Sequence, residues 1–389
     1  MTPSSQDFDL EFDDLLEERE GDFLSDADGG FDETGFDIGD ADDFDDEGKE
    51  GGAQGDGSLY EYKKLTADTG QKFMRLDHWL SILLKNKSRT NIKNAVLAGC
   101  VRVNGKTIKP AYKIKPGDEV TVLLPHPPPP ELTPENIPVE IPYEDDDLLM
   151  LNKKPGMVVH PGVGNWRGTM LHALLYHLNQ DKLTEPRENW HFPSLVHRID
   201  KDTSGLLVIT KHEFANSFLS RQFYERTIDR LYNAIVWGDV KQDEGTVVGH
   251  VGRSKQDRKK FRVYEDGSEG KHAVTHYKVL ERFGFATLVQ CKLETGRTHQ
   301  IRVHMKHIGH TLLSDWFYGG HEILVRRQTP KWDEFAKNLM EIIPRQALHA
   351  KTLGFTHPLT RKKVFFESDL PEDFQKAIEK MRKYRDAYS

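Results

Sequence analysis

Cysteine is nearly absent from this chain, with Cys100 and Cys291 the only two in 389 residues. They lie far apart and in no CxxC pattern. That excludes a disulfide scaffold and a cysteine-rich zinc site, and it points to a reducing cytoplasm. Long apolar runs are missing too. No stretch approaches the ~18 apolar residues of a membrane span, and the mean hydropathy is −0.64. The opening residues are polar and acidic, unlike a secretory signal. Neither a GxGxxG nor a GxxxxGKS loop occurs, which disfavours dinucleotide-binding and P-loop readings. HExxH is absent, and no carboxylate falls among His299, His304, His307 and His310 before Asp315, so no metal site is expected. Neither Ser204 nor Cys291 sits in a nucleophile-elbow sequence, which speaks against a hydrolase triad.

What is present is a strong asymmetry of charge. The formal net charge of −8 averages two opposite segments. Residues 1–57 hold 22 acids and two bases, a net of −20, and the remainder holds 40 acids and 52 bases, a net of +12. The first segment is rich in Asp, Glu and Gly, carries five Phe-Asp pairs, and has too few apolar residues for a core, so it is expected to be a disordered acidic tail. It reads either as a solubilising segment or as a polyanion mimic that competes with RNA for the basic body. Such a body suggests a polyanionic partner, nucleic acid before membrane.

From Phe73 the texture becomes that of a small folded module. Leu76, Leu80, Leu83 and Leu84 recur as one face of an amphipathic helix, and Ile92, Val96 and Leu97 predict a second. Asn104-Gly105 between two short apolar runs predicts a hairpin. Residues 72–115 contain 11 Lys+Arg and one acid, Asp77, a density that favours nucleic-acid binding. The candidates for RNA contact are Arg75, Lys85, Lys87, Arg89, Lys93 and Lys106. From Arg75 to Asp118 this stretch resembles the S-four RNA-binding domain, through its RLDxxL start, its SR pair, its VxVNG turn and its closing GD. The expected domain spans 73–124. Residues 125–147, with four consecutive prolines at 127–130, read as an extended spacer.

Residues 148–389 show short strands and helices without regular βαβ alternation. A mixed, mainly antiparallel α+β domain is therefore expected. Three polar loops stand out, opening at Asn152, His197 and Glu294, together with Arg230-Leu231-Tyr232 leading a strand. A carboxylate beside an arginine at the mouth of a strand suits a charged nucleophile or base, although a lone loop aspartate is more often a turn or cap residue. The basic run Lys255, Arg258, Lys259, Lys260 and Arg262 reads as an RNA-gripping arm, and Phe374, Ile378 and Met381 as the core face of a final helix.

Taken together, HRIDKDTSG, the RxY segment, LETGRTHQIRVHM followed by GHTLLSDWFYGG, and RQALHA resemble the RluA-type pseudouridine synthases. The nearest branch is the RluD-like one, on the KxAVTHY, PGxGN and RQALHA segments. The resemblance covers residues 73–389. It departs from the family at Thr311, where proline is usual, and at Ser314, where glycine is usual. It implies an isomerase that turns uridine of large-subunit ribosomal RNA into pseudouridine, as a cytoplasmic monomer without cofactor or metal. Asp200 matches the catalytic aspartate that attacks the flipped uridine, Arg302 the arginine paired with it, and Tyr232 the catalytic tyrosine that stacks on the base and can act in proton transfer. Arg198 matches the arginine that fills the place of the extruded nucleotide. Arg297 and His299 would support the site or contact RNA. Two other readings stay open, a transfer-RNA pseudouridine synthase and a non-catalytic ribosome-assembly factor that has kept the fold.

Overall fold

A computed structural model describes residues 60–84, 89–124, 131–162, 165–257, 259–325 and 331–388. The acidic segment 1–57, Lys85, Lys87, the four prolines at 127–130 and Arg258 lie outside the described residues. The described chain divides into two compact units, the second beginning at Glu131.

The first unit contains strands β1 (Tyr60–Thr66) and β2 (Met74–Arg75), helices α1 (Leu76–Leu83) and α2 (Arg89–Leu97), and strands β3 (Val101–Val103), β4 (Lys106–Thr107), β5 (Lys113–Ile114) and β6 (Glu119–Leu124). The larger sheet runs β1-β6-β3-β4, and β2 pairs with β5. Leu76, Trp79 and Leu80 bury one face of α1 against Ile92 and Val96 of α2 and Val101, Val103 and Val120 of the sheet. Leu83, expected on that face, is exposed because the helix ends there. β1 had no sequence signal, and it extends the unit upstream of residue 73. The Asn104-Gly105 hairpin forms with φ values of 51° and 76°, as a two-residue primed turn requires. Asp118 latches it: the carboxylate accepts from Asn104 Nδ2 at 2.8 Å, Tyr112 OH at 2.9 Å and the Lys115 amide at 2.8 Å. The closing GD of the motif is thus the staple of this fold.

The second unit is built on one eleven-stranded sheet. Its strands are β7 (Glu140–Glu144), β8 (Leu148–Lys153), β9 (Ser194–Leu195), β10 (Ser204–Thr210), β11 (Asp229–Trp237), β12 (Glu244–Arg253), β13 (Phe261–Tyr264), β14 (Lys271–Arg282), β15 (Ala286–Leu293), β16 (Leu348–Thr356) and β17 (Lys363–Glu367). The main path is β13-β12-β14-β15-β11-β16-β10-β8-β7, with β17 on β16 and β9 on β10. All of these pairs are antiparallel except β10 with β16. The extended spacer expected over 125–147 is shortened by this arrangement. From Glu131 the chain belongs to the second unit, and Glu140–Glu144 pairs with β8. Pro142 is tolerated because β7 is an edge strand.

The described residues of this unit also form five α-helices, α3 (Met170–Leu178), α4 (Glu213–Tyr224), α5 (Gln300–His307), α6 (Trp332–Ile342) and α7 (Glu372–Tyr388). Phe374, Ile378 and Met381 of α7 do enter the core, packing with Trp237, Phe283, Phe285 and Leu313. No described helix is long and apolar enough to cross a membrane.

Candidate active site

The parallel contact between β10 and β16 sets the position of the His197–Gly205 loop. Gly205, with φ of +111°, lies against Ala350, and a Cβ there would meet the Ala350 carbonyl oxygen at 2.2 Å. Only glycine lets the two strands come this close. Ala350 also pairs across β16 with Tyr232 of β11. The loop before β10 and the tyrosine of the RxY segment are therefore brought to one end of neighbouring strands.

Asp200 lies in this loop with its side chain 17 % exposed. Arg302, in the first turn of α5 and 1 % exposed, donates from Nη1 to Asp200 Oδ2 at 2.9 Å. The same guanidinium donates from Nε and Nη2 to the two oxygens of Asp315, at 2.8 and 3.0 Å. Asp315 is fully buried, and it also accepts from the backbone amides of Phe317 and Tyr318, each at 3.1 Å. Tyr318 lies under the Arg302 guanidinium, 5.0 Å from ring centroid to Cζ. A bidentate carboxylate on one side and an aromatic face below leave the guanidinium one orientation, with Nη1 aimed at Asp200.

His299 caps α5 in a left-handed conformation, φ 55°. Its Nδ1 lies 2.8 Å from Tyr318 OH, and its Nε2 lies 4.0 Å from Asp200 Oδ2. It stands buried behind the carboxylate. The Tyr232 phenol is buried, and burial pushes its pKa up, with the Arg230 charge opposing and the Asp200 charge adding to the rise. Its ring is thus held as a neutral face beside the aspartate.

Comparison with known proteins gives the family. Residues 147–307 match the RNA pseudouridylate synthase family, and residues 74–120 match the S4 domain. An uncharacterized RNA pseudouridine synthase of Chlorobaculum parvum (strain DSM 263 / NCIMB 8327) is 45% identical over 316 residues, which cover 79% of this chain and 94% of that one. The ribosomal large subunit pseudouridine synthase D of Zymomonas mobilis is 44% identical over 303 residues, covering 77% and 92%. That of Pseudomonas aeruginosa is 39% identical over 314 residues, covering 81% and 94%. This chain belongs to the RNA pseudouridine synthase family. It is an isomerase with an S4 domain.

The synthase fixes its aspartate loop from two further directions that the sequence reading missed. Lys153, 1 % exposed at the end of β8, donates to the carbonyls of Lys154 at 3.1 Å, Met157 at 3.0 Å and Lys201 at 2.6 Å. Lys201 directly follows Asp200, so one buried ammonium ties the Asn152 loop to the aspartate loop. Arg345, 7 % exposed, donates to the Asp202 carbonyl at 2.9 Å and, through Nε and Nη2, to Asp373 of α7 at 2.8 and 3.1 Å. Both residues were visible only as members of motifs. Their partners lie 48 and 143 residues away along the chain.

The remaining candidates fall in both units. Arg198 is exposed beside His160, whose pKa burial lowers to about 3 with the Arg198 charge adding to the effect. Arg297 is half-buried and donates from Nε to the His272 carbonyl at 3.2 Å. A cleft of about 440 Å³ opens between residues 254–263 and α5, lined among others by Lys260, Arg262, Lys306, His307 and Tyr318. The expected gripping arm forms one wall of it. In the S4 unit, Arg75 and Arg89 both converge on buried Asp77, Arg75 through two hydrogen bonds at 3.0 and 2.7 Å and Arg89 at 3.5 Å. Lys93 and Lys106 are exposed and carry no such tie.

Proposed function

We propose that this synthase isomerises uridines in large-subunit ribosomal RNA, with Asp200 attacking the extruded nucleotide. The observation that carries the reading is the Asp200–Arg302 contact of 2.9 Å, made by a guanidinium that Asp315 holds in one orientation. Isomerisation conserves every atom. The glycosidic bond to uracil N1 breaks, a bond from the same sugar carbon to C5 forms, and the proton of C5 is replaced by one on N1. Neither an oxidant nor a group donor enters the balance, and the reading gives the enzyme no cofactor.

The target uridine must leave its stack, which costs a few kcal/mol. The Tyr232 ring recovers part of that by stacking on the base, and the exposed Arg198 fills the gap left in the RNA. Arg297 and His299 support the aspartate loop from the α5 side. In the S4 unit, Arg75, Arg89, Lys93 and Lys106 supply backbone contacts, a type of binding that positions an RNA without reading its sequence. The ribosomal substrate rests on the names of the relatives from Zymomonas mobilis and Pseudomonas aeruginosa. The enzyme works as a monomer in the cytoplasm.

The test is pseudouridine mapping of total RNA from cells lacking the gene, rescued with wild type or with Asp200→Asn. Large-subunit sites should vanish and return only with wild type. Loss confined to transfer RNA would overturn the substrate. Rescue by the variant, or no lost site at all, would overturn the catalytic assignment and favour an assembly factor that has kept the fold.

A further inference from the structure

Four lysines or arginines are buried among the described residues: Lys153, Arg230, Arg302 and Arg345. Three of them are fully matched. Lys153 has three carbonyls, Arg302 has two carboxylates, and Arg345 has Asp373 and three backbone carbonyls. Arg230 differs. It is 9 % exposed, and no described residue offers its guanidinium a hydrogen bond or an ion pair. Its contact is the ring of Phe223, 5.5 Å away, which is itself stacked on His197 at 4.8 Å.

The nearby acids are engaged elsewhere. Asp229 pairs with Lys292 at 3.0 Å, and Glu294 pairs with His276 at 2.7 Å and approaches Arg226 at 3.8 Å. His197 adds no negative charge, and burial lowers its pKa to about 3, with Arg230 adding to the effect. The Arg230 nitrogens are not among the fully enclosed unpartnered atoms, so the donor edge reaches solvent, and a largely buried cation without a counter-charge offers a site for an anion from outside.

The location says which anion. Arg230 and Tyr232 are two apart on β11 and therefore project from the same face of the strand. The far end of Arg230 lies under Gly296, where a Cβ would come within 3.0 Å of Nη1. A glycine at this point keeps the loop that leads into α5 from pressing on the guanidinium. The cation thus sits next to the tyrosine assigned to the flipped base, in an enzyme whose substrate carries one phosphate per nucleotide.

We propose that Arg230 is the binding site for one backbone phosphate of the RNA strand at the extruded uridine. This deepens the proposed function and rests on its placing the uridine beside Asp200 and Tyr232. The guanidinium, fixed by Phe223 and roofed by Gly296, presents a planar donor edge to phosphate oxygens, the geometry arginine serves best. Binding supplies the missing counter-charge, so the contact is strongest when the strand is seated.

The test measures binding of a target hairpin RNA in the Asp200→Asn background, where turnover does not interfere. Arg230→Met should weaken binding roughly ten- to hundredfold at about 0.1 M salt. It should also reduce the log–log salt slope by about 0.7–0.9, the share of one phosphate. Arg230→Lys should keep the slope and part of the affinity. Arg230→Met should fold with an unchanged or higher Tm, because it removes an uncompensated charge. Single methylphosphonates walked along the strand should identify one position that weakens the Asp200→Asn parent and leaves its Arg230→Met derivative unaffected. An unchanged salt slope, a loss of affinity that no methylphosphonate position reproduces, or a lower Tm with unchanged binding would overturn the proposal. A transfer-RNA result in the mapping experiment would change the hairpin used and leave the phosphate cycle readable. Normal turnover by Asp200→Asn would remove the catalytic assignment and not the phosphate contact.

Discussion

Asp315 grips Arg302 through two hydrogen bonds, 2.8 and 3.0 Å long, and so leaves only Nη1 of that guanidinium for Asp200. One cation thereby serves two carboxylates. Asp315→Ala should lower stability by about 3–5 kcal/mol, since it strips a partner from a buried ion pair. It should also lower kcat with little change in RNA affinity, because Arg302 can then swing away from Asp200. Urea denaturation and single-turnover assays check the two parts separately. A variant with unchanged kcat would show that Asp315 does not orient Arg302.

Tyr232 tests the division of labour between ring and hydroxyl. Burial raises the phenol pKa, with the Asp200 charge adding to it, so Tyr232 is expected to stay protonated through pH 9. Tyr232→Phe should keep RNA affinity within a few-fold, and Tyr232→Leu should lose the roughly 1–3 kcal/mol of a stacked base. The wild-type rate should show no alkaline limb from this group below about pH 10, the ordinary phenol value.

Ser314 departs from the glycine usual in the family, and the backbone shows why glycine suits the position. Its φ is 58°, in the left-handed region, and its buried hydroxyl finds no hydrogen-bond partner among the described residues. Ser314→Gly should therefore stabilise the enzyme by about 1 kcal/mol. A thermal melt that shows no gain would mean that the hydroxyl has a partner of its own.

His304 predicts how stability responds to pH. It is fully buried on α5, neither ring nitrogen has a partner among the described residues, and burial lowers its pKa from 6.5 to about 4, with the His307 charge adding to the fall. The unfolded chain then binds the proton first as pH falls. Stability is complete above pH 6.5 and drops by about 1.4 kcal/mol per unit between 6.5 and 4. His304→Leu should remove that share of the slope while staying at least as stable at pH 7.5. Urea midpoints at pH 7.5 and 5.0 give the comparison.

Local structure was legible wherever the residues that decide it are neighbours. Asn104-Gly105 announced its turn because both positive φ values belong to those two residues. The apolar spacing of α1 was read correctly as far as Leu80. It failed at Leu83 because nothing in periodicity marks where a helix stops being covered. The pairing of Arg302 with Asp200 came from resemblance alone and is present at 2.9 Å. Asp315 had been noticed only as the first acid beyond a run of histidines. Its hold on Arg302 depends on the chain turning back after α5, which no local pattern encodes. Lys153 and Arg345 were hidden for the same reason. Arg230 stood out as the start of the RxY segment, but its lack of a counter-charge depends on which acids the fold brings near.

The parallel seam between β10 and β16 has a consequence for how the enzyme is made. β16 follows nine described strands of its sheet in sequence, yet it lies in the middle of that sheet, between β11 and β10. A chain emerging from the ribosome must hold two separate half-sheets with open edges until residues 348–356 arrive. The aspartate loop, clamped by Lys153 early and by Arg345 late, is completed only at that point. A product truncated before β16 would carry Asp200, Tyr232 and Arg302 without the strand that joins Gly205 to Tyr232.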